Sequence, residues 1–181
     1  MMSRRRIFLG SLGGLLAEPD FARSQAQGAA ADLQENWRQF LSPNARVPES
    51  EESLRFSDGT WRNRLSVEAY RVLREEFTEE RFSSILNVEH RAGVYVCVAC
   101  DLPLFTSAMK YDSGTGWPSF FTTVPGGFEK SRSVLSWFFG VEYHCVRCGG
   151  HHGHLFDDGP APTGERWCNN GVALKFIPRD S

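Results

Sequence analysis

Apolar positions in one stretch of the chain recur at the spacing of a helix. The positions that share one helix face are Val67, Tyr70, Val72, Leu73 and Phe77. Ser66 stands just before them as a candidate N-cap, while Glu68, Glu75 and Glu76 fall on the polar side. This pattern predicts an amphipathic helix whose apolar stripe packs on the protein core.

The apolar residues after Gly93 are arranged in short runs that are typical of strands. The runs GVYVCVAC, SVLSWFFGVEYHC and GVALKFIP are rich in β-branched and aromatic residues, and clusters of Gly, Pro, Asp and Ser separate them. No long amphipathic pattern follows about residue 85. The sequence therefore predicts a mainly β domain over residues 61–179, mostly antiparallel, with one or two short helices in front of it.

The region before this domain, residues 31–60, is interpreted as an N-terminal extension. Its pattern predicts a short helix around Asp32–Leu41, and a loop with Pro43, Pro48 and the acidic stretch ESEE follows. No internal repeat and no low-complexity tract is present in the chain. We expect the extension to lie over the domain as a strap.

The composition is that of one globular domain with extensions. The chain has 181 residues, of which 41% are hydrophobic and 13% aromatic, and its net charge is −2. This apolar content suffices for a core, and the aromatic content suits half-buried β surfaces. Because no long basic run follows the first six residues, the charge pattern disfavours a nucleic-acid partner.

The first thirty residues have the composition of a targeting segment. The stretch SRRRIFLGSLGGLLA joins three arginines to an apolar run from Ile7 to Ala17, shorter than the roughly 20 residues of a membrane-spanning helix. The adjacent Arg5 and Arg6 resemble a twin-arginine signal, which predicts export of the folded protein to the periplasm. A disordered basic tail on a cytoplasmic protein is the alternative.

Four of the five cysteines form two C-x-x-C pairs that predict a metal site. CVAC supplies Cys97 and Cys100, and CVRC supplies Cys145 and Cys148. Four thiolates suit a tetrahedral Zn²⁺ with no open position, so this zinc is expected to be structural. Two disulfides, redox-active pairs and an iron site are the alternatives.

The fifth cysteine, Cys168, has no partner and is a candidate nucleophile. His151, His152 and His154 lie upstream, and an imidazole near a thiol can lower the pKa of the thiol or transfer protons. Asn170 would share a face with Cys168 if this segment is a strand. The alternatives are a buried, inert thiol and a histidine cluster that binds a second metal or forms a polar loop.

A further distinctive run, KYDSGTGWPSF, predicts a tight loop that presents a large aromatic side chain. Two glycines flank Thr115, and Trp117 follows. Trp117 is either an ordinary buried residue or an apolar wall for a methyl or thioether group. The second interpretation requires the reactive thiol to lie opposite the ring.

Together these runs resemble the methionine-R-sulfoxide reductase B family. The matching stretches are GVYVCVACDLPLF, KYDSGTGWPSF, CVRCGGHHGHLFDDGPAPTGERWCNN and ALKF, which cover about residues 65–177. The resemblance implies a compact domain of two antiparallel β-sheets and one zinc ion held by both C-x-x-C pairs. It also implies reduction of the R epimer of methionine sulfoxide, free or protein-bound, to methionine.

The resemblance also implies roles for individual residues. Cys168 would attack the sulfoxide sulfur and become a sulfenic acid, and His154 would protonate or hydrogen-bond the departing oxygen. His151 and Asn170 would support this chemistry, and Trp117 would receive the methyl group of the substrate. A zinc-binding β module without catalysis, or a thiol-disulfide oxidoreductase, would be the rival function.

One departure from the family pattern concerns the resolving cysteine. Many family members carry it between the glycines of the tryptophan loop, where this chain has Thr115. Some members carry it instead in the region that corresponds to TEERFSS, where this chain has serines and no cysteine. The sulfenic acid is therefore expected to be reduced by an external partner, either a thioredoxin-like protein or a small thiol. We expect the protein to act as a monomer.

Overall fold

The computed structural model describes residues 20–48, 52–131 and 139–180. The helices are α1 (Asp20–Glu35), α2 (Asp58–Arg64) and α3 (Val67–Glu75), with 3₁₀ turns at Trp37–Phe40, Ile85–Val88, Ser107–Met109 and Gly171–Ala173. The strands are β1 (Gly93–Cys97), β2 (Pro103–Thr106), β3 (Lys110–Tyr111), β4 (Ser119–Phe120), β5 (Phe128–Ser131), β6 (Val141–Cys145), β7 (His151–Phe156), β8 (Arg166–Asn169) and β9 (Leu174–Pro178).

These strands form two antiparallel sheets. The smaller sheet has the order β2-β1-β9, and the larger has the order β3-β4-β8-β7-β6-β5. Aromatic side chains fill the space between the sheets: Phe105 of β2 stacks on Phe120 of β4 with ring centroids 3.9 Å apart, and Tyr95 of β1 meets Phe120 edge-on. The predicted fold class, two antiparallel sheets with short N-terminal helices, is confirmed.

The predicted amphipathic helix is α3, and its start is confirmed. The Ser66 hydroxyl accepts a hydrogen bond from the backbone N–H of Ala69, as an N-cap does. Tyr70, Val72 and Leu73 are buried in the core. The assignment of Val67 and Phe77 to the buried stripe was wrong.

Both of these residues are exposed for local reasons. Val67 is 71% exposed because it opens the first turn on the solvent side. Phe77 lies beyond the end of α3, where Glu76 adopts a left-handed conformation that redirects the chain. The Phe77 ring lies against the guanidinium group of Arg71 instead of the core.

The boundaries of three other predicted elements were also wrong. The helix expected around Asp32–Leu41 ends at Glu35, and a 3₁₀ turn follows, in which Trp37 is buried. The strand expected over SVLSWFFGVEYHC begins only at Val141, after Gly140 with φ +81°, and residues 132–138 lie outside the described residues. The strand expected over GVALKFIP begins at Leu174, after a 3₁₀ turn.

The described part of the N-terminal extension lies against the β domain. The Gln34 side chain donates a hydrogen bond to the Thr122 hydroxyl, and the Leu54 backbone N–H donates to the carbonyl of Arg147. The α1 helix crosses the predicted boundary between residues 30 and 31. The twin-arginine segment falls largely on residues 1–19, outside the described residues, and among the described helices none has the length and apolar content to span a membrane.

Candidate active site

One row of the larger sheet carries the candidate nucleophile and a histidine. Cys168 on β8 pairs with His154 on β7, and His154 pairs with Glu142 on β6. Residues that pair directly across strands project from the same face of a sheet, so the three side chains lie side by side. The sheet therefore brings together residues that are as much as 26 positions apart in the sequence.

A β-bulge between β6 and β7 adds His151 to this face. Tyr143 pairs with Gly153 and His144 pairs with His151, so that His152 is an extra residue in β7. In a regular strand, residues three apart would point to opposite faces. Because of the bulge, the rings of His151 and His154 lie 5.4 Å apart, while His152 turns into the aromatic core against Phe128.

A cavity of about 280 Å³ opens on this face beside Cys168. It is partly open to solvent and its surface is mainly apolar, with Trp117, Phe139 and Phe156 as the large aromatic residues. Its lining is completed by Thr78, Gly153, His154, Cys168, Asn169 and Asn170. Of the candidate site residues, the cavity brings together Cys168, His154, Trp117 and Asn170, whereas His151 lies behind His154 and is buried.

Opposing effects act on the thiol of Cys168. Burial raises its pKa above the ordinary value, and it is the largest effect. The positive charge of Arg166 and a hydrogen bond from the Thr115 side chain oppose this by favouring the thiolate. Arg166 is itself held by Asp158 through two hydrogen bonds, Nε–Oδ1 at 2.7 Å and a second at 2.9 Å. The resting thiol is thus mostly protonated at neutral pH.

The two site histidines are neutral at pH 7. Burial lowers the pKa of His154, and burial lowers the pKa of His151 to about 3. The Nδ1 atom of His151 lies 2.7 Å from a carboxylate oxygen of Glu142. A neutral His154 can donate a hydrogen bond from one ring nitrogen into the cavity.

Glu79 anchors the residues around the cavity. Its buried carboxylate accepts hydrogen bonds from the backbone N–H groups of Gly171 and Val172, at 2.6 and 2.9 Å. Its own backbone N–H donates to the side-chain oxygen of Asn170, and its carbonyl accepts from the indole N–H of Trp117. Burial raises the pKa of Glu79, because the carboxylate loses its hydration. The hydrogen bonds from the two backbone N–H groups offset part of this cost.

The oxygen and the nitrogen of the Asn170 side chain each make a hydrogen bond within the protein. Besides accepting from Glu79, the side chain donates through Nδ2 to the carbonyl of His152 at 3.0 Å. Asn170 therefore lines the cavity while its amide ties β8 to the bulge of β7. These two bonds hold the backbone beside the cavity in place.

Sequence reasoning missed several residues of the site. Arg166 precedes Cys168 by two positions on the same strand, so the alternation of a strand could have found it. Glu142 bears the same relation to His144. Phe156 follows His154 by two positions on β7 and could have been found in the same way. Glu79 and Phe139 gave no such signal, because their contacts with the site arise only from packing between distant segments.

The four remaining cysteines form a compact buried cluster. The sulfur atoms of Cys97 and Cys148 lie 3.6 Å apart, as do those of Cys100 and Cys145, and all four lie within 4.8 Å of one another. None of the five cysteines forms a disulfide. A tetrahedral site with metal–sulfur bonds of 2.3 Å requires sulfur separations of about 3.8 Å, so the cluster fits a metal ion.

The backbone of each pair has the same turn. Asp101 N–H donates to the carbonyl of Cys97, and Gly149 N–H donates to that of Cys145. Each turn brings its two sulfurs to the same point, the first turn from the smaller sheet and the second from the larger. Burial raises the pKa of the Cys97 thiol, so a bound cation would stabilise the thiolates that the protein alone disfavours.

Comparison with known proteins places this geometry in a family. A family model described as the SelR domain matches residues 65–178. The chain belongs to the methionine-R-sulfoxide reductase B family. This is a family of oxidoreductases, the peptide-methionine (R)-S-oxide reductases.

Curated members of the family match most of the chain. A protein of Bradyrhizobium diazoefficiens is 44% identical over 138 residues, 76% of this chain and 99% of its own length. Relatives from Methanosarcina barkeri and Pseudomonas putida are 43% and 46% identical, covering 70% and 66% of this chain and 90% and 91% of their own lengths. All three are named peptide methionine sulfoxide reductase MsrB.

Proposed function

We propose that this family member reduces the R epimer of methionine sulfoxide, preferably in proteins, to methionine through a sulfenic acid on Cys168. The observation that carries the proposal is one cavity that contains a thiol, an imidazole and an aromatic wall: Cys168, His154 and Trp117. A sulfoxide oxygen leaves readily only when it is protonated or hydrogen-bonded, which the imidazole supplies beside the nucleophile.

The proposed step balances within the site. The sulfur of Cys168 takes the oxygen of the sulfoxide, so that a thiol and a sulfoxide become a sulfenic acid and a thioether. The cysteine sulfur loses two electrons, and the methionine sulfur gains them. His154 donates a hydrogen bond to the oxygen while the S–O bond of the substrate breaks, and Arg166 stabilises the thiolate character of Cys168.

The shape of the cavity supports selection of one epimer. Trp117, Phe139 and Phe156 form an apolar surface that suits the methyl group, and His154 supplies the polar side. With the methyl on the aromatic surface, only one epimer directs its oxygen to His154, and we assign it as R from the family. The S epimer in the same position would direct its oxygen away from the donor and leave it without a partner.

We propose Zn²⁺ as the ion of the four-cysteine cluster. Four buried thiolates at near-tetrahedral separations are the donor set that zinc prefers in structural sites. The ion would join the turn after β1 to the turn after β6. It lies outside the cavity lining and would act on stability, so no reaction step passes through it.

We propose that an external thiol regenerates the enzyme. The other four cysteines of the chain lie in the buried cluster, and Thr115 stands beside Cys168 at the position of the family's resolving cysteine. A thioredoxin-like protein or a small thiol would form a mixed disulfide with Cys168 and release water, and a second thiol would then release the enzyme. Because neither step needs a second subunit, we propose a monomer.

The first test is turnover of separate epimers. The full-length protein is given the R or the S epimer of dabsylated methionine sulfoxide with dithiothreitol, beside Cys168→Ser, His154→Gln and the exposed-histidine control His90→Gln. We expect turnover of R alone, no turnover in Cys168→Ser, a rate lower by about 100-fold in His154→Gln, and an unchanged rate in His90→Gln. No turnover of either epimer by folded wild type would favour a non-catalytic binding module.

Trapping of the oxidised enzyme tests the intermediate. One equivalent of substrate without added thiol should leave a sulfenic acid that dimedone labels at Cys168 in stoichiometric yield. Mass spectrometry of the labelled peptide measures this yield. A rapidly formed intramolecular disulfide would contradict the proposed use of an external thiol.

We also propose export through the twin-arginine segment, with the metal loaded before the folded protein crosses the membrane. Fractionation of cells that express the full chain should place it in the periplasm. Replacement of Arg5 and Arg6 by lysine should retain it in the cytoplasm. Equal cytoplasmic amounts of both forms would contradict this proposal.

A further inference from the structure

A second group of metal-ligand side chains lies on the active-site face of the larger sheet. Glu142, His144 and His151 direct one carboxylate oxygen and two ring nitrogens to a common point, and these atoms lie within 4.8 Å of one another. We propose that these three residues bind a second divalent metal ion, Zn²⁺, separate from the four-cysteine cluster. The binding proposal does not depend on the reductase reaction.

The separations fit zinc with a small adjustment. Zinc–nitrogen and zinc–oxygen bonds of about 2.0–2.2 Å in a tetrahedron require donor separations of about 3.4 Å. The Nε2 atom of His144 lies 3.5 Å from Oε1 of Glu142, and the Nδ1 atom of His151 lies 2.7 Å from the same oxygen. Of these two distances, the second must lengthen by less than about 1 Å, and the two ring nitrogens lie within 4.8 Å of each other.

The backbone fixes this arrangement in advance. Glu142 and His144 are alternate residues of β6, and His144 pairs with His151 across the bulge, so all three project from one face. His151 is almost fully buried, while Glu142 and His144 are about one quarter exposed, which leaves a path for the ion from solvent. The extra residue of the bulge is thus what brings the third ligand to the site.

The two sites are distinct because the strand alternates. His144 and Cys145 are neighbours on β6, and neighbours on a strand point to opposite faces. Cys145 therefore joins the buried cluster, and His144 points to the face that holds His151. Two imidazoles and one carboxylate are also a harder donor set than four thiolates, and they suit zinc with an open fourth position.

Glu76, at the end of α3, is placed to fill the fourth position of the proposed site. The carboxylate of Glu76 lies 4.0 Å from Nε2 of His144, in a left-handed residue that ends the helix. Its side chain is 66% exposed and has room to approach the ion. Coordination by Glu76 would link the end of α3 to β6 and β7.

Metal content and melting of the full-length protein test the site. The purified protein is dialysed against buffered Zn²⁺, and the metal per chain is measured by mass spectrometry, beside the variants His144→Gln and Glu142→Gln and the control His90→Gln. His90 is the histidine outside this region and is exposed. We expect a second equivalent and a higher melting temperature with zinc in wild type and His90→Gln.

Both ligand variants should lose the second equivalent, with zinc affinity lower by at least about 10-fold. Co²⁺ substitution keeps the sites apart, since thiolate-to-metal charge-transfer absorption reports only the four-cysteine cluster and shows that each variant is folded. Retention of the second equivalent in His144→Gln and Glu142→Gln would place the ion elsewhere and overturn the proposal. One equivalent in wild type would overturn it as well.

Discussion

At the scale of the residue, the reactivity of Cys168 depends on a balance between burial and one positive charge. Burial disfavours the thiolate, whereas Arg166, fixed by Asp158, favours it. The net result is a pKa above the ordinary 9.0. Because the thiolate is the reactive form, a protonated thiol is less open to unspecific oxidation.

Replacement of Arg166 by methionine should slow alkylation of Cys168 by iodoacetamide at pH 7. Because only the thiolate reacts, the wild-type rate should rise with pH and continue to rise beyond pH 9.0. Loss of the Arg166 charge raises the pKa further, so the rate at pH 7 should fall by about 3- to 10-fold. The pH profile of alkylation, followed by mass spectrometry, checks both statements.

The matched control is Arg91→Met, because Arg91 is an exposed arginine that pairs with Glu89 away from the cavity. Its alkylation profile should coincide with that of wild type. A faster reaction in Arg166→Met than in Arg91→Met would show that Arg166 does not favour the thiolate.

At the scale of the element, the contact between β7 and β8 decides the geometry of the cavity. Gly153 faces the backbone of Cys168 so closely that an added Cβ would lie 2.0 Å from the Cys168 carbonyl oxygen. Its φ of +157° also disfavours other residues. Gly153 thereby allows His154 and Cys168 to pair as direct neighbours.

Gly153→Ala should lower the free energy of unfolding by about 2 kcal/mol or more, because the new methyl group forces the two strands apart. Chemical denaturation measures the change, and the rate with R sulfoxide should fall with it.

The control is Gly59→Ala in α2, where an added Cβ meets nothing within 4 Å. Alanine is favoured over glycine inside a helix, so this variant should be more stable by about 0.5–1 kcal/mol. Equal stability of Gly153→Ala and wild type would mean that the strands separate without cost.

Local sequence patterns predicted some boundaries of the helices and strands but not others. The N-cap of α3 was predictable because Ser66 bonds within its own first turn. The first residues of β6 and β9 were not, because they depend on the backbone torsion of Gly140 and on the distant Glu79, which binds the turn before β9. The bulge in β7 has no local signal, since it is a mismatch of register between two strands.

At the scale of the whole molecule, the four-cysteine cluster joins the two sheets. Cys97 ends β1 of the smaller sheet and Cys100 follows it, while Cys145 ends β6 of the larger sheet and Cys148 follows it. The aromatic core and the proposed zinc ion therefore hold the same pair of sheets together at different points. The extension adds a further contact through the buried Trp37.

Removal of the proposed zinc by a strong chelator should destabilise the whole β domain. Without the ion, four buried sulfurs lose their common partner, and a loss of about 5 kcal/mol would lower the melting temperature by about 15 °C. Calorimetry with and without chelator measures this change.

Without any chelator, Cys100→Ser should have a lower melting temperature than wild type, because the site has lost a ligand. Cys168→Ser serves as its control, because it removes a cysteine outside the cluster, and its response to chelator should equal that of wild type. An unchanged melting temperature of Cys100→Ser would contradict a structural role for the ion.

The sequence by itself determined the family of this protein and its candidate reactive groups. The spacing of two C-x-x-C pairs, the odd Cys168, the histidines beside it and Trp117 in a glycine-flanked loop are local features, and they sufficed to indicate the family and the fold class. Such features are readable because each motif is built by neighbouring residues. The tertiary structure brought four of the five candidate site residues to one cavity.

Only the tertiary structure decided which residues surround the candidate reactive groups. It placed Glu79 against Asn170 and Trp117, His151 behind His154 and Glu142 beside both histidines. These relations come from strand register, one bulge and the packing of distant segments, so no local pattern encodes them. The physical reason is that register and packing are settled by the energy of the complete core, to which every segment contributes.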